Sequence, residues 1–550
     1  MKLFDKYFPF LLIAGLLLNL NSLFTDILEP DGALYATLAK HIALTGDWVN
    51  LWGDGHDWLD KPHFPFWMAA VSFKLFGINA FAYKLPAYIF WLIGIWFTYR
   101  LTNCLYDKFT ARVAVIVYIF SLHGILNIFD VRAEPYLTTL SIGAIYFFYR
   151  AYKSQKWKYI VLTAFLAACA VITKGIFVLI TIAGGFVIFW IITKQWKQFI
   201  NYRWWLMVVF TLLFITPELY SLYSQFDLHP EKIVFGRTNV SGLKFFFWDS
   251  QFGRFFNTGP IRGRGEPTFF LHTTLWAFLP WSIILYVAIF NLFRKRENTG
   301  TERYIKWIVY GSALITFLLF SFSRFQLPHY ITILFPHFAI ITAAYLTSIK
   351  KESTYRTFGI IQTVLLVLAP FLVIALSMFS KIGNPTAVVS LLGALVAFAL
   401  FNFSKPGIIK IILPAVTTIV LLFVYMLNFF YPNLMKYQSG MMAGKWLNEQ
   451  NFKKTPAMFQ EWSYSFEFYA PGYVDYIRNY GELDNFLQKD SSRPVYTSES
   501  FLEDLQKQGY KYEVLERFPY FHISVLKAAF LNPKTRDKEL KKIVLVKLSN

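Results

Sequence analysis

Long apolar runs separated by short basic clusters dominate the chain. A helix crossing a bilayer needs about 20 mostly apolar residues, fewer where aromatic anchors flank it. That measure predicts spans near 8–26, 83–103, 111–128, 135–150, 158–173, 176–193, 203–222, 270–292, 305–322, 328–348, 357–379, 385–403 and 408–431, thirteen in all. The segment 63–77 is apolar but short and reads as an interfacial helix; a crossing there would move every later loop to the other side. Between 31 and 45, Ala33, Leu34, Leu38, Ile42 and Leu44 recur at roughly helical spacing among Lys40 and His41. This predicts an amphipathic helix along the membrane, with Asp31 at or just before its N-terminus. After Tyr431-Pro432 the pattern changes: short β-like runs at 494–497, 510–515 and 543–546 alternate with helical stretches such as 500–508. The expected organisation is a transmembrane domain over 1–432, with outer loops 27–82 and 223–269, and a small α/β domain over 433–550.

Loop charges set the orientation. With the N-terminus in the cytoplasm, thirteen crossings put Lys2, Lys6, Lys108, Arg112, Arg150, Lys153, Lys194, Lys197, Arg294, Lys295, Lys350, Lys351, Lys405 and Lys410 on the inside. Every inner loop is then basic, as the positive-inside rule requires. The outer side receives 27–82, the loop around Arg132 and Glu134, the Thr173-Lys174-Gly175 turn, 223–269, Ser323 to Pro328, and the chain beyond about 432. The chemically dense segments all fall on this face.

Composition narrows the class. The 550 residues are 56% hydrophobic, with 60 Phe, 33 Tyr and 17 Trp, and mean hydropathy is +0.42. An ordinary soluble enzyme and a disordered chain are both excluded. The net charge of +20 sits mostly in the inner clusters, so bilayer orientation accounts for it and no nucleic-acid partner is expected. Cys104 and Cys169 have no metal-ligand spacing. Residues 1–25 lack a small-residue cleavage site before Asp26 and read as a retained first span.

Lys and Arg on the outer side oppose the orientation rule, which points to binding. Lys61, Arg132, Lys174, Arg254, Arg262, Arg264 and Arg324 form a candidate anion-binding set, with Glu29, Asp60, Glu134, Glu218 and Glu266 available to pair some of them. Asp31 on its own also suits a simple helix cap. The loop 223–269 is long for a connector and carries an aromatic run, Phe245 to Trp248, then Arg254 and Arg262-Gly263-Arg264-Gly265, where glycines would let backbone approach a phosphate.

Asp31-Gly-Ala-Leu-Tyr35, Gly46-Asp47-Trp48, Leu59-Asp60-Lys61-Pro62, Phe76-Gly77, Lys84-Leu85-Pro86, Thr173-Lys174-Gly175, Leu279-Pro280-Trp281-Ser282 and Ser323 to Pro328 followed by His329-Tyr330 occur in an order that resembles the dolichyl-phosphate-mannose protein mannosyltransferase superfamily. The likeness covers residues 1 to about 432 and is nearest to the bacterial branch of aminoarabinose transferases that modify lipid A. It implies the GT-C fold, mainly α with about thirteen transmembrane helices, and a monomer in the bacterial inner membrane whose active site and C-terminal domain face the periplasm. It implies a polyprenyl-phosphate-sugar donor, an inverting transfer, and a glycolipid, glycan or protein acceptor among membrane lipids. The family's first-loop acid maps onto Asp31, the expected catalytic base, and its phosphate-proximal lysine onto Lys61. The acid beside that lysine maps onto Asp60, a position associated in the family with a divalent metal, although no independent ligand cluster supports one in this sequence. Tyr35, Arg132, Glu134, Lys174, Arg254, Arg324, His329 and Tyr330 complete the expected donor site. One departure stands out: the family usually has Asp-Glu where this chain has Asp31-Gly32, with Glu29 as the nearby candidate to compensate. The competing classes are a protein O-mannosyltransferase-like enzyme, a flippase of lipid-linked sugars and a scaffold presenting the C-terminal domain. A flippase predicts mid-membrane polar groups and symmetric halves, which the sequence does not display.

Overall fold

The computed structural model describes residues 2–294, 304–382, 391–392 and 407–549. Helices occupy every expected span except 385–403, which falls almost wholly outside the described residues. The early ones are α1 (Lys2–Asn21), α2 (Asp31–Thr45), α3 (Phe64–Phe76), α4 (Ala80–Leu105), α5 (Lys108–Ile119), α6 (Leu122–Phe129), α7 (Glu134–Ser154), α8 (Trp157–Lys174), α9 (Val178–Ile192), α10 (Tyr202–Phe214) and α11 (Thr216–Leu222). Among the described residues six helices are long and apolar enough to cross a membrane, or eight if two bent pairs each count as one span. The bends lie between α5 and α6, at 56°, and between the helical segments 196–214 and 216–227, at 41°. Helices α9, Ser282–Leu292 and Trp307–Phe322 are apolar but shorter, so length and composition do not establish the count of thirteen. Local chemistry sets several starts. Asn79 accepts from the Ala82 amide at the head of α4, and Asp107 from the Thr110 amide at the head of α5, each satisfying an orphan donor of the first turn.

Helix α2 corrects the expectation of a half-exposed amphipathic helix. Gly32 to Lys40 are all buried, because α3 packs on one side and the helix Tyr464–Tyr469 on another. The Lys40 ammonium donates to the carbonyls of Glu467 (2.6 Å), Phe468 (3.1 Å) and Ala470 (2.7 Å), closing the C-terminus of that second helix. A positive φ of 74° at Gly46 ends α2. Helix α3 follows, 13 residues long, after a small antiparallel pair of β1 (Trp52–Gly53) and β2 (His56–Asp57).

The C-terminal segment carries a five-stranded sheet of β3 (Ala457–Phe459), β4 (Asp475–Ile477), β5 (Val495–Ser498), β6 (Lys511–Tyr520) and β7 (Lys541–Ser549), in the order β4-β3-β5-β7-β6. β3 pairs in parallel with β4 and β5, while β7 runs antiparallel to β5 and β6. The three anticipated strands are present; β3 and β4, three residues each, were too short to stand out in the pattern. The sheet has its own core of Ala457, Phe459, Leu483, Val495, Val544 and Val546.

Candidate active site

Asp31 opens α2, but its side chain is not the cap. The N-cap residue is Pro30, without a side-chain cap bond, and the Asp31 carboxylate is bound by the Arg132 guanidinium at 2.5 Å. Its side chain keeps 42% of its exposure, so an incoming group can still reach it. Arg132 is gripped a second time by Asp130, through Nε at 3.1 Å and Nη2 at 2.7 Å, and its Nη1 lies 3.4 Å from Nδ1 of His329. Burial works against the Arg132 charge, but Asp130 and Asp31 outweigh it and hold the guanidinium above its ordinary pKa.

Asp130 belongs to the site although it is not among the residues expected from the sequence. The alternation Asp130-Val-Arg132-Ala-Glu134, directly after α6, is the signal in the sequence that marks it. A Cβ built on Gly32 would lie 2.7 Å from its Oδ1, so the space a larger residue would need beside Asp31 is taken by this second carboxylate. Burial pushes the Asp130 carboxyl up against the pull of Arg132. Glu29 does not compensate for Gly32: it turns away, its Oε1 accepting from the Ser463 hydroxyl and the Ser465 amide, both at 2.6 Å.

A second ionic group adjoins the first. Lys61 donates to Asp60 at 2.8 Å, and Arg254 binds the other Asp60 oxygen. Burial alone would raise the Asp60 carboxyl, but Lys61 and Arg254 hold it at about 2. Lys61 is lowered to about 8, first by burial and then by Arg254, with Asp60 opposing. Lys174, at the end of α8, pairs with Glu134 at the start of α7 and lies 3.7 Å from the Tyr330 ring centroid. His329 Nε2 is 3.7 Å from the same Glu134 oxygen. Tyr35 is buried against Phe66, and burial followed by the charges of Asp60, Glu134 and Asp31 lifts its phenol well above the ordinary range. Arg324 is exposed, and only its backbone joins in, its amide donating to Phe255 at 3.1 Å.

The Arg-Gly-Arg-Gly stretch approaches protein backbone. A Cβ on Gly265 would fall 2.3 Å from the Ser323 carbonyl oxygen, so the glycine allows the loop to pack on 323–325. A metal does not fit Asp60. Both its oxygens face cations, and among the described residues no group of three His, Cys, Asp or Glu side chains is placed to hold an ion.

Lys61, Lys174 and Arg254 line a cavity together with Phe177, Phe245, Phe246, Phe270, Leu319 and Phe320. The Nε of Arg254 is buried and has no hydrogen-bond partner among the described residues. Such a donor carries a desolvation cost of roughly 1–3 kcal/mol until an acceptor arrives. A chamber lined by cations and by many apolar side chains can seat an anion joined to a hydrocarbon tail.

A family model described as dolichyl-phosphate-mannose-protein mannosyltransferase matches residues 60–220. An uncharacterized protein of Aquifex aeolicus is 24% identical over 386 residues, which are 68% of this chain and 70% of that protein. An undecaprenyl phosphate-alpha-4-amino-4-deoxy-L-arabinose arabinosyl transferase of Shewanella sediminis is 24% identical over 58% of this chain, a match spanning only 55% of that transferase. The structure of ArnT from Cupriavidus metallidurans bound to undecaprenyl phosphate aligns with a TM-score of 0.74 at 16% identity, covering 98% of each chain. The class is therefore that of the multispan GT-C membrane glycosyltransferase fold. Over residues 60–220 the chain is similar to the dolichyl-phosphate-mannose-protein mannosyltransferases, and over more than half its length to the aminoarabinose transferases.

Proposed function

We propose that this protein is an inner-membrane glycosyltransferase that moves a sugar from a polyprenyl-phosphate donor to an envelope acceptor, lipid A or another glycolipid, at the periplasmic face. The observation carrying this reading is a cavity in which Lys61, Lys174 and Arg254, its Nε without a partner among the described residues, meet an aromatic and aliphatic lining. The cations take the phosphate and the lining takes the start of the polyprenyl chain. The relatives named as undecaprenyl-phosphate sugar transferases support the same donor class.

In this mechanism Asp31, oriented by Arg132, takes the proton from the acceptor hydroxyl as its oxygen attacks the anomeric carbon. A carbon–oxygen bond forms to the acceptor while the anomeric carbon–phosphate oxygen bond breaks. That electron pair leaves with the lipid phosphate, whose growing charge Lys61 and Arg254 stabilise. Attack opposite the leaving group inverts the anomeric centre. Mass spectrometry of envelope lipids tests the assignment: a strain lacking the protein should lose one sugar-modified glycolipid, restored by the wild-type chain and not by Asp31→Asn. An unchanged lipid profile would overturn it.

A further inference from the structure

Glu218 is a side chain that the mechanism above does not use. It lies on α11 with none of its side-chain surface exposed, and it lines the same cavity as Lys61 and Arg254. Its Oε2 is fully engaged, accepting from the His63 amide at 3.1 Å and facing the His63 ring Nδ1 at 3.0 Å, while Nε2 of that ring contacts the Val49 carbonyl at 2.9 Å. Its Oε1 is buried and has no hydrogen-bond partner among the described residues. His63, which holds the other oxygen, follows Lys61 by two residues, and Glu218 shares the cavity lining with Lys61 and Arg254. A buried carboxylate oxygen facing a hydrocarbon tail would be costly. The group that satisfies it must be a hydrogen-bond donor attached close to the phosphate.

We infer that Glu218 Oε1 recognises the donor's sugar, accepting a hydrogen bond from a hydroxyl or ammonium substituent of the ring. This rests on the reading of the cavity as the site of a sugar-bearing lipid phosphate, and adds the feature that selects the sugar. A site built around such an acceptor discriminates strongly against a ligand lacking the matching donor, because the acceptor is then buried without a partner. Glu218→Gln keeps the length of the side chain and can keep an oxygen toward His63, while presenting an amide NH₂ to the cavity.

The test measures the affinity of the purified full-length protein for polyprenyl-phosphate-linked sugars and for sugar-free polyprenyl phosphate, so it needs no turnover. The wild type should bind the sugar-bearing lipid more tightly, and Glu218→Gln should erase at least tenfold of that preference while binding sugar-free lipid phosphate as before. A donor bearing an amino sugar and one bearing only hydroxyls separate the two sources, since the variant loses most on the sugar whose group faces Oε1. An unchanged preference in the variant overturns the inference. If neither lipid phosphate binds to the wild type, the proposed function itself has failed. Should Glu218→Gln misfold, Glu218→Asp, which withdraws the oxygen by one methylene, must show the same selective loss.

Discussion

At the scale of single residues, the site is built from paired charges: Arg132 binds Asp31, and Asp60 binds both Lys61 and Arg254. Lys61, Lys174 and Arg254 stood out because cations on the outer face oppose the orientation rule, and all three line one cavity. Arg324 met the same criterion and lies exposed, since sidedness reports depth and says nothing about direction. Asp130 was hidden because its significance comes from Gly32, nearly a hundred residues earlier, whose missing side chain makes room for it. Replacing Asp31 by Asn should lower kcat by about 10²–10⁴, the usual contribution of a general base, with the melting temperature unchanged, as a transfer assay and thermal unfolding would check. The depressed Lys61 sets a pH dependence. The ammonium that attracts phosphate is present below about 8 and lost as pH rises through it. The unliganded enzyme's affinity for polyprenyl phosphate should therefore fall above about pH 8, where an unperturbed lysine would hold to about 10.4. Titrating binding across that range, with Lys61→Arg expected to remove the fall, tests the sign.

At the scale of elements, helices were legible wherever an apolar run was long, and their ends where Asn79 or Asp107 supplied a cap. The surroundings of α2 were not. Its apolar spacing suggested one face in lipid, but the covering helix comes from residues 464–469, and no local pattern announces a partner more than 400 positions away. Lys40 is the hinge of that contact. Lys40→Met would leave three carbonyls at a helix end without their donor, at roughly 1–3 kcal/mol. Hydrogen exchange should then quicken in 464–470 before it does in the transmembrane helices. Equal protection in both proteins would show that the contact contributes nothing.

At the scale of the whole molecule, orientation links the sequence to the chemistry. The expected odd number of crossings would put the two ends of the chain on opposite sides, with the segment that covers α2 through Tyr464–Tyr469 and binds Glu29 through Ser463 and Ser465 on the side away from the N-terminus. Compartment-sensitive reporters fused at each end should report different sides; the same side for both would move the ionic cluster to the wrong face. Transfer from the lipid-linked donor is measured directly by incubating the purified protein with polyprenyl-phosphate-linked sugars and a lipid A acceptor and following release of free polyprenyl phosphate. Release together with a glycosylated acceptor, absent in Asp31→Asn and strongly reduced in Arg254→Ala, is the predicted result. Release that is undiminished in both variants would contradict it.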